Sequence, residues 1–291
     1  MSSLQPDSAA QSAVRIAFQG EPGAYSEAAL LESAVINHLP LPVPVPCASF
    51  EEVFSAVEQG DCQFGFIPIE NSLAGSIHRN YDLLLQHNLH VVGEHYLRVA
   101  HCLLACPDTP LAEIRKVISH PQALAQCEQY LRNLGVTIES AYDTAGSARL
   151  VSQRRDCSVA AIASRRAAEI YGLTILAENI EDNPANFTRF LKISRQPVEP
   201  GLDAKTSIVF SLKNVPGSLF RGMGVFALRD IDLTKIESRP LAGKPWEYFF
   251  YIDFAGSTQD VVVQRALAHL EELALFLRIL GSYPRHRQVT G

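Results

Sequence analysis

One tryptophan and two methionines occur in 291 residues, and the six cysteines, at positions 47, 62, 102, 106, 127 and 157, form no CxxC pair. No zinc-type spacing is present, so they read as reduced thiols in or near a core. No stretch of about 18 consecutive apolar residues occurs, which excludes a transmembrane helix. The longest candidate, 91–106, is interrupted by Glu94, His95, Arg98 and His101. The first residues, MSSLQPDSAAQSA, lack an apolar segment, so no signal peptide is expected and the location is expected to be cytoplasmic. Lys and Arg form no long run, and 25 basic against 31 acidic residues give a net charge of −6. Neither nucleic acid nor a membrane is therefore an expected partner. No HExxH, Asp-rich box, Ser/His/Asp or Cys/His pattern stands out, so no metal and no cofactor are expected.

What remains is an ordinary globular composition, 47% apolar and 19% charged. At about 150 residues per domain the length predicts two domains. From 14 to 195, short apolar runs alternate with helical periodicity: extended at 14–19, 43–46 and 64–69, and helical at 24–39, at 50–57 and from Gly75 onward. The alternation continues with extended runs at 91–97 and 99–105, a strand at 117–119, a helix from Pro121 to about Leu134, two further strand–helix pairs (136–140 with 144–153, 159–162 with 164–171), and extended segments at 173–180 and 187–194. This rhythm predicts α/β units with mainly parallel sheets. Residues 196–204, with Pro197, Pro200 and Gly201, read as a linker. Beyond it the order becomes βαββαβ, a ferredoxin-like unit over 205–285. Tails are expected at 1–13 and 286–291.

Three loops carry polar groups between a strand and a helix or at a strand start. Gly20-Glu21-Pro22-Gly23-Ala24-Tyr25-Ser26 offers backbone N–H groups to a carboxylate or phosphate, or is a plain tight turn. It fits neither the phosphate-loop nor the dinucleotide pattern. Pro68-Ile69-Glu70-Asn71-Ser72 presents donors and a carboxylate, or caps a helix. In Asn186-Phe187-Thr188-Arg189-Phe190, strand alternation puts Thr188 and Phe190 on one face and Phe187 and Arg189 on the other. Arg189 either clamps a carboxylate or lies exposed on an edge strand. His120 stands at a strand-to-helix turn before Pro121, structural or functional. Ligands of open α/β sheets bind beyond the carboxyl ends of strands, which makes a shared cleft the expected place for these loops.

Taken together, these motifs, with Ser119-His120-Pro121-Gln122-Ala123-Leu124 between them, resemble the prephenate dehydratase family. Lys205-Thr206-Ser207, Gly217-Ser218-Leu219-Phe220 and Glu237-Ser238-Arg239-Pro240 are similar to that family's C-terminal ACT regulatory domain. The stretch 119–127 with Asp143-Thr144-Ala145-Gly146 is also similar to the plant-type branch, the arogenate dehydratases.

The resemblance implies an α/β fold. The catalytic part, 14–195, would be two-lobed, like a type II periplasmic binding protein, and 205–285 would be a ferredoxin-like ACT domain. It implies loss of carbon dioxide and water from prephenate to give phenylpyruvate, or from arogenate to give phenylalanine. Thr188 would be the catalytic residue. Gly23, Ala24, Tyr25, Ser26, Glu70, Asn71, Ser72, Asn186, Arg189 and Phe190 would bind substrate. L-Phenylalanine would bind as an effector through Gly217, Ser218, Leu219, Phe220, Glu237, Ser238, Arg239 and Pro240, and the protein would be a homodimer or homotetramer. Ser218 departs from the usual Ala of the effector motif. A non-catalytic sensor of small anions and amino acids is the alternative from another class.

Overall fold

The computed structural model describes residues 13–241 and 243–286. Apart from Ala13 and His286, the two expected tails lie outside those residues. The chain opens with β1 (Arg15–Gln19), α1 (Tyr25–Ile36), β2 (Val43–Cys47), α2 (Phe50–Gln59), β3 (Phe64–Asn71), β4 (Gly75–Ser76), α3 (His78–Gln86) and β5 (His90–Arg98). It then crosses to a second lobe: β6 (Cys102–Ala105), β7 (Lys116–Ser119), α4 (Pro121–Gln126), α5 (Glu128–Leu134), β8 (Thr137–Ser140), α6 (Thr144–Arg154), β9 (Val159–Ala163), α7 (Arg165–Tyr171) and β10 (Thr174–Glu178). It returns to the first lobe in β11 (Phe187–Ser194). The C-terminal unit follows as β12 (Ala204–Leu212), α8 (Ser218–Ala227), β13 (Leu233–Pro240), β14 (Tyr248–Ala255), α9 (Val261–Leu273) and β15 (Ala274–Pro284).

Short polar side chains cap several helices. Ser49 accepts the Glu52 N–H ahead of α2, Asp143 accepts the Gly146 N–H ahead of α6, and Ser164 caps α7. Two helical expectations change. Gly75 does not open a helix; Gly75 and Ser76 pair with Asn71 and Glu70 as a two-residue strand, and α3 begins at His78. The helix expected from Pro121 to about Leu134 is interrupted at Cys127, where the backbone leaves helical geometry (φ −119, ψ 24).

The first sheet runs β2-β1-β3-β11-β5 with β4 on β3, and the second runs β10-β6-β9-β7-β8. Neither is mainly parallel. β1 pairs in parallel with β2 and β3, but β11 is antiparallel to both its neighbours. In the second sheet β7 is parallel to β8 and β9, while β6 is antiparallel to β9 and β10. The cause is the double crossing: β6 and β11 enter their sheets from the other lobe rather than through a local helix. No described helix is long and apolar enough to cross a membrane.

The third sheet, β13-β14-β12-β15, is wholly antiparallel and has the ferredoxin-like order. Strand β12 starts at Ala204, the last residue of the expected linker. One face is covered by α8 and α9, with Phe210, Phe226, Phe254 and Leu270 at its centre. Most of the opposite face is covered by the first lobe. Val209, Tyr251, Leu280 and Tyr283 belong to the same buried cluster as Ile67, Tyr81, Val91 and Ile193 of the first lobe. Tyr251 donates to the Tyr81 carbonyl at 2.9 Å, and the Arg278 guanidinium donates to the Leu85, His87 and Leu89 carbonyls just at and beyond the end of α3. A cation is favoured at that carbonyl end.

At the tightest point β15 lies backbone to backbone on β5: a Cβ on Gly281 would sit 2.0 Å from the Val91 carbonyl oxygen. Overpacking of this kind typically costs about 1–3 kcal/mol. Gly281→Ala is expected to lower stability by at least that much, read as a lower urea midpoint with unchanged slope.

Candidate active site

A cavity of about 250 Å³ lies between the two lobes. Tyr25, Ser26, Asn71, Thr188 and Phe190 line it, together with Ser76, His101, His120, Gln122, Gln126 and Thr144. It is faced by the first turns of α1, α4 and α6, in which the His120 ring takes the Gln122 N–H and the Asp143 carboxylate the Gly146 N–H. None of its described lining residues is Lys, Arg, Asp or Glu. Binding of an anion here therefore rests on dipoles, hydroxyls, amides and imidazoles.

A hydrogen-bonded chain crosses the floor of this cavity. It starts at Asn71, whose Oδ1 accepts the backbone N–H groups of Leu73 (3.1 Å) and Ala74 (2.9 Å). These two donors fix which end of the amide faces inward. Asn71 Nδ2 must then donate, and it does so to Asn186 Oδ1 at 2.8 Å and to Thr188 Oγ1 at 3.0 Å. Asn186 Nδ2 donates to Gln126 Oε1 at 3.0 Å, and that oxygen also lies 2.9 Å from His101 Nε2. Since Gln126 Oε1 can only accept, His101 carries its hydrogen on Nε2. Its Nδ1 accepts from the Tyr25 hydroxyl at 2.7 Å. Burial holds His101 below its ordinary pKa and raises Tyr25 well above its own. Both are neutral near pH 7, as the chain requires. The outcome at its end is that the Thr188 oxygen is already an acceptor, so its O–H is left to donate to whatever fills the cavity.

Phe190 stacks on Phe66 with ring centroids 5.4 Å apart and forms an apolar wall beside Thr188. His120 caps α4, its Nδ1 accepting the Gln122 N–H at 3.2 Å, so its hydrogen sits on Nε2.

Six of the expected substrate-binding residues do not line the cavity. Asn186 acts from below it, in the chain just described. Ser72 donates to the Ala185 carbonyl (2.7 Å) and accepts the Phe187 N–H (2.9 Å), stitching the end of β3 to the start of β11. Glu70 pairs with Lys235 of the C-terminal unit at 3.0 Å. The Gly23-Ala24 turn does not cradle an anion, because its N–H groups are already used: Gly23 donates to Glu27 and Ala24 to the Glu21 carbonyl. That loop joins the lobes instead. Arg149 grips Glu21 with two hydrogen bonds, Ser164 donates to the Gly23 carbonyl and Tyr171 to that of Pro22. Gly23 (φ +90) is needed there, since a Cβ would lie 2.8 Å from Ala167 Cα. Arg189 is neither a carboxylate clamp in the cavity nor exposed. Alternation along β11 turns it to the other face, where it lies buried against Glu94, Asp253 and Tyr283.

His101 and Gln126 were not singled out from the sequence. His101 stands in a run that reads as a buried strand, and its polarity amid Val99, Cys102 and Leu103 was the available signal.

Of the expected effector residues, Gly217, Ser218, Leu219 and Phe220 line a second cavity of about 270 Å³ with Asn214, Trp246 and Tyr248. Glu237 and Arg239 do not reach it within one chain. Glu237 accepts from Ser76 and meets His78, and Arg239 pairs with Asp82 at 2.8 Å, so both touch the first lobe. Ser238 and Pro240 are exposed.

Residues 16–198 match the family model for prephenate dehydratase. The chain is 52% identical, over 94% of its own length and 73% of the relative's, to arogenate dehydratase/prephenate dehydratase 2, chloroplastic, of Arabidopsis thaliana. A crystal structure of prephenate dehydratase from Arthrobacter aurescens in complex with L-Phe is 32% identical, with a TM-score of 0.85 over 94% of this chain and 90% of that one. GqqA, described as a novel type of quorum-quenching acylase, is 36% identical with a TM-score of 0.86 over 94% and 98%. A family match spanning both lobes and the cavity between them, with relatives covering the C-terminal unit as well, places this chain in the prephenate dehydratase family.

Proposed function

We propose that this chain is a dehydratase that converts prephenate to phenylpyruvate or arogenate to phenylalanine, regulated by L-phenylalanine. The observation that carries this reading is the Thr188 hydroxyl, oriented by Asn71 so that its proton faces the cavity between the lobes. In the reaction the electron pair of the ring carboxylate's C–C bond passes into the ring as carbon dioxide leaves. The C–O bond on the opposite ring carbon breaks, and the departing oxygen takes up one proton to leave as water. A threonine hydroxyl is too weak an acid to give that proton away freely. Its part is a hydrogen bond that strengthens as negative charge grows on the leaving oxygen, in a site shut off from water. His120 lines the same cavity from the second lobe, and its ring N–H on Nε2 can supply that proton. Tyr25, Ser26 and the first turns of α4 and α6 hold the carboxylates.

The acylase reading finds less support in the cavity. A hydroxyl nucleophile needs an adjacent base, and Thr188 Oγ1 meets an amide donor instead. The same geometry gives a purely binding module no reason to keep an oriented hydroxyl.

In this reading residues 14–195 form the catalytic part, 196–204 a link and 205–285 an ACT domain whose Gly217–Phe220 loop binds the effector. The assembly is a homodimer or homotetramer, in which a second copy completes that loop's cavity. The buried thiols support a reducing compartment, a condition met both by the cytoplasm and by the chloroplast of the Arabidopsis relative.

Incubation with prephenate and with arogenate, quantifying phenylpyruvate and phenylalanine, tests the reading; turnover of neither substrate overturns it. Thr188→Ala, folded by circular dichroism, is expected to lose about 10²–10³ in kcat, with Thr188→Ser intermediate. Saturating phenylalanine is expected to raise the melting temperature and to change kcat/KM; an effect on neither removes the regulatory part.

Acidification gives a further expectation. Burial lowers the His101 pKa in the folded protein, whereas the unfolded chain binds its proton at the ordinary 6.5. Unfolding therefore takes up a proton as pH falls below 6.5, and stability drops from there down to the folded value. The melting temperature should fall between pH 7 and 5, and more steeply than in His101→Gln.

A further inference from the structure

Thr188 and Arg189 are adjacent on β11 and point to opposite faces of the first sheet. The face behind Thr188 is covered by the C-terminal sheet. There Arg189 Nε donates to Glu94 Oε2 at 2.9 Å, Nη1 to Asp253, and Nη2 to the Tyr283 hydroxyl at 3.1 Å. Lys205 Nζ lies 2.7 Å from Glu94 Oε1, and Ser207 bonds both Asp253 and Tyr283. Two cations and two carboxylates thus balance in a pocket where the Arg189 side chain is 5% exposed and that of Glu94 not at all. Burial alone would strip these groups of charge. Arg189 nonetheless keeps its proton more firmly than usual because Asp253, Tyr283 and Glu94 surround it, and Asp253 is held below the usual carboxylate range by Arg189 and Ser207.

The cluster is built from two parts of the chain. Glu94 and Arg189 come from the first lobe; Lys205, Ser207, Asp253 and Tyr283 come from the C-terminal sheet. All three hydrogen-bonding nitrogens of the guanidinium are engaged, so Arg189 has one allowed place. β11 pairs regularly with β5 on either side of it, Thr188 opposite Leu97 and Arg189 opposite Tyr96. Against β3 the register breaks immediately after Arg189, where Phe190 pairs with Pro68 rather than Ile69. The guanidinium therefore pins the strand at the point where pairing with β3 slips, one residue from the reacting hydroxyl.

We propose that Arg189 is a positioning residue, through which the C-terminal sheet fixes the place of the Thr188 hydroxyl. The inference rests on the assignment of Thr188 as the reacting group. It gives the Arg of this motif a role on the far side of the sheet from the substrate.

The test is Asp253→Asn in the full chain, which keeps the side chain's size and removes one charge from a residue remote from the cavity. Activity is measured well below the melting temperature. A displacement of the order of an ångström at the reacting atom costs about 10²-fold in rate. The variant is expected to lose about 10- to 100-fold in kcat with KM changed by less than about threefold, since substrate contacts stay intact while the hydroxyl is misplaced. Wild-type kcat with only a lower melting temperature overturns the proposal, because the cluster then merely holds the sheets together. So does a rise in KM at unchanged kcat. Should Asp253→Asn not fold, Tyr283→Phe removes a single bond from Arg189 Nη2, and a folded Tyr283→Phe with unchanged kcat overturns the proposal equally. Thr188→Ala separates the two assignments: if it keeps activity, the assignment of Thr188 fails, whatever Asp253→Asn does.

Discussion

Two backbone N–H groups, those of Leu73 and Ala74, decide the hydrogen-bonding pattern of the cavity. They occupy the oxygen of Asn71, which leaves its Nδ2 to donate and sets the sense of the bonds that follow. Asn71 donates, Asn186 accepts and donates in turn, Gln126 accepts twice, His101 donates from Nε2, and Tyr25 donates to Nδ1. None of these groups is charged. No described residue lining the cavity is Lys, Arg, Asp or Glu, and the buried Glu181 carboxylate that accepts the His101 backbone N–H is paired with Arg98 outside that lining. The hydrogen-bonded chain stays aligned only while the short turn after β3 keeps its shape.

The ions are placed elsewhere. Arg189, Glu94, Lys205 and Asp253 lie behind the sheet, and the half-buried Arg149–Glu21 pair joins the two lobes. The buried group is fully hydrogen-bonded, which is the condition under which such a cluster is tolerated. Breaking one partner of such a pair costs about 3–5 kcal/mol, far more than an exposed pair is worth. The seam between the first lobe and the C-terminal sheet is thus joined twice, by the apolar cluster around Tyr251 and Leu280 and by these charges.

Much of this was legible in the sequence. Alternating apolar runs show α/β units followed by a βαββαβ unit, the family resemblance adds the division into two lobes, and short motifs mark Tyr25, Ser26, Asn71, Thr188 and Phe190. The misses share a cause. Period-2 alternation tells that Thr188 and Arg189 face opposite ways, but not which side holds the cavity, so Arg189 was read toward a ligand. Gly23 was read for the N–H groups it offers, whereas its use is the room it leaves for α7. Sheet direction was misjudged because the antiparallel strands β6 and β11 follow crossings between lobes, which no local pattern announces. His101 escaped because one polar residue among apolar ones is usual in a buried strand.

The two crossings also bear on how the cleft works. His101 and Asn186 lie in the segments that pass between the lobes, outside the strands on either side. Any hinge rotation must bend these same segments. Opening the cleft therefore does more than admit ligand: it pulls apart the links from Asn186 to Gln126 and from Gln126 to His101, which join one lobe to the other. The Asn71–Thr188 contact lies wholly within the first lobe, so such a rotation would change the amide and imidazole around the hydroxyl and leave the hydroxyl's own direction in place.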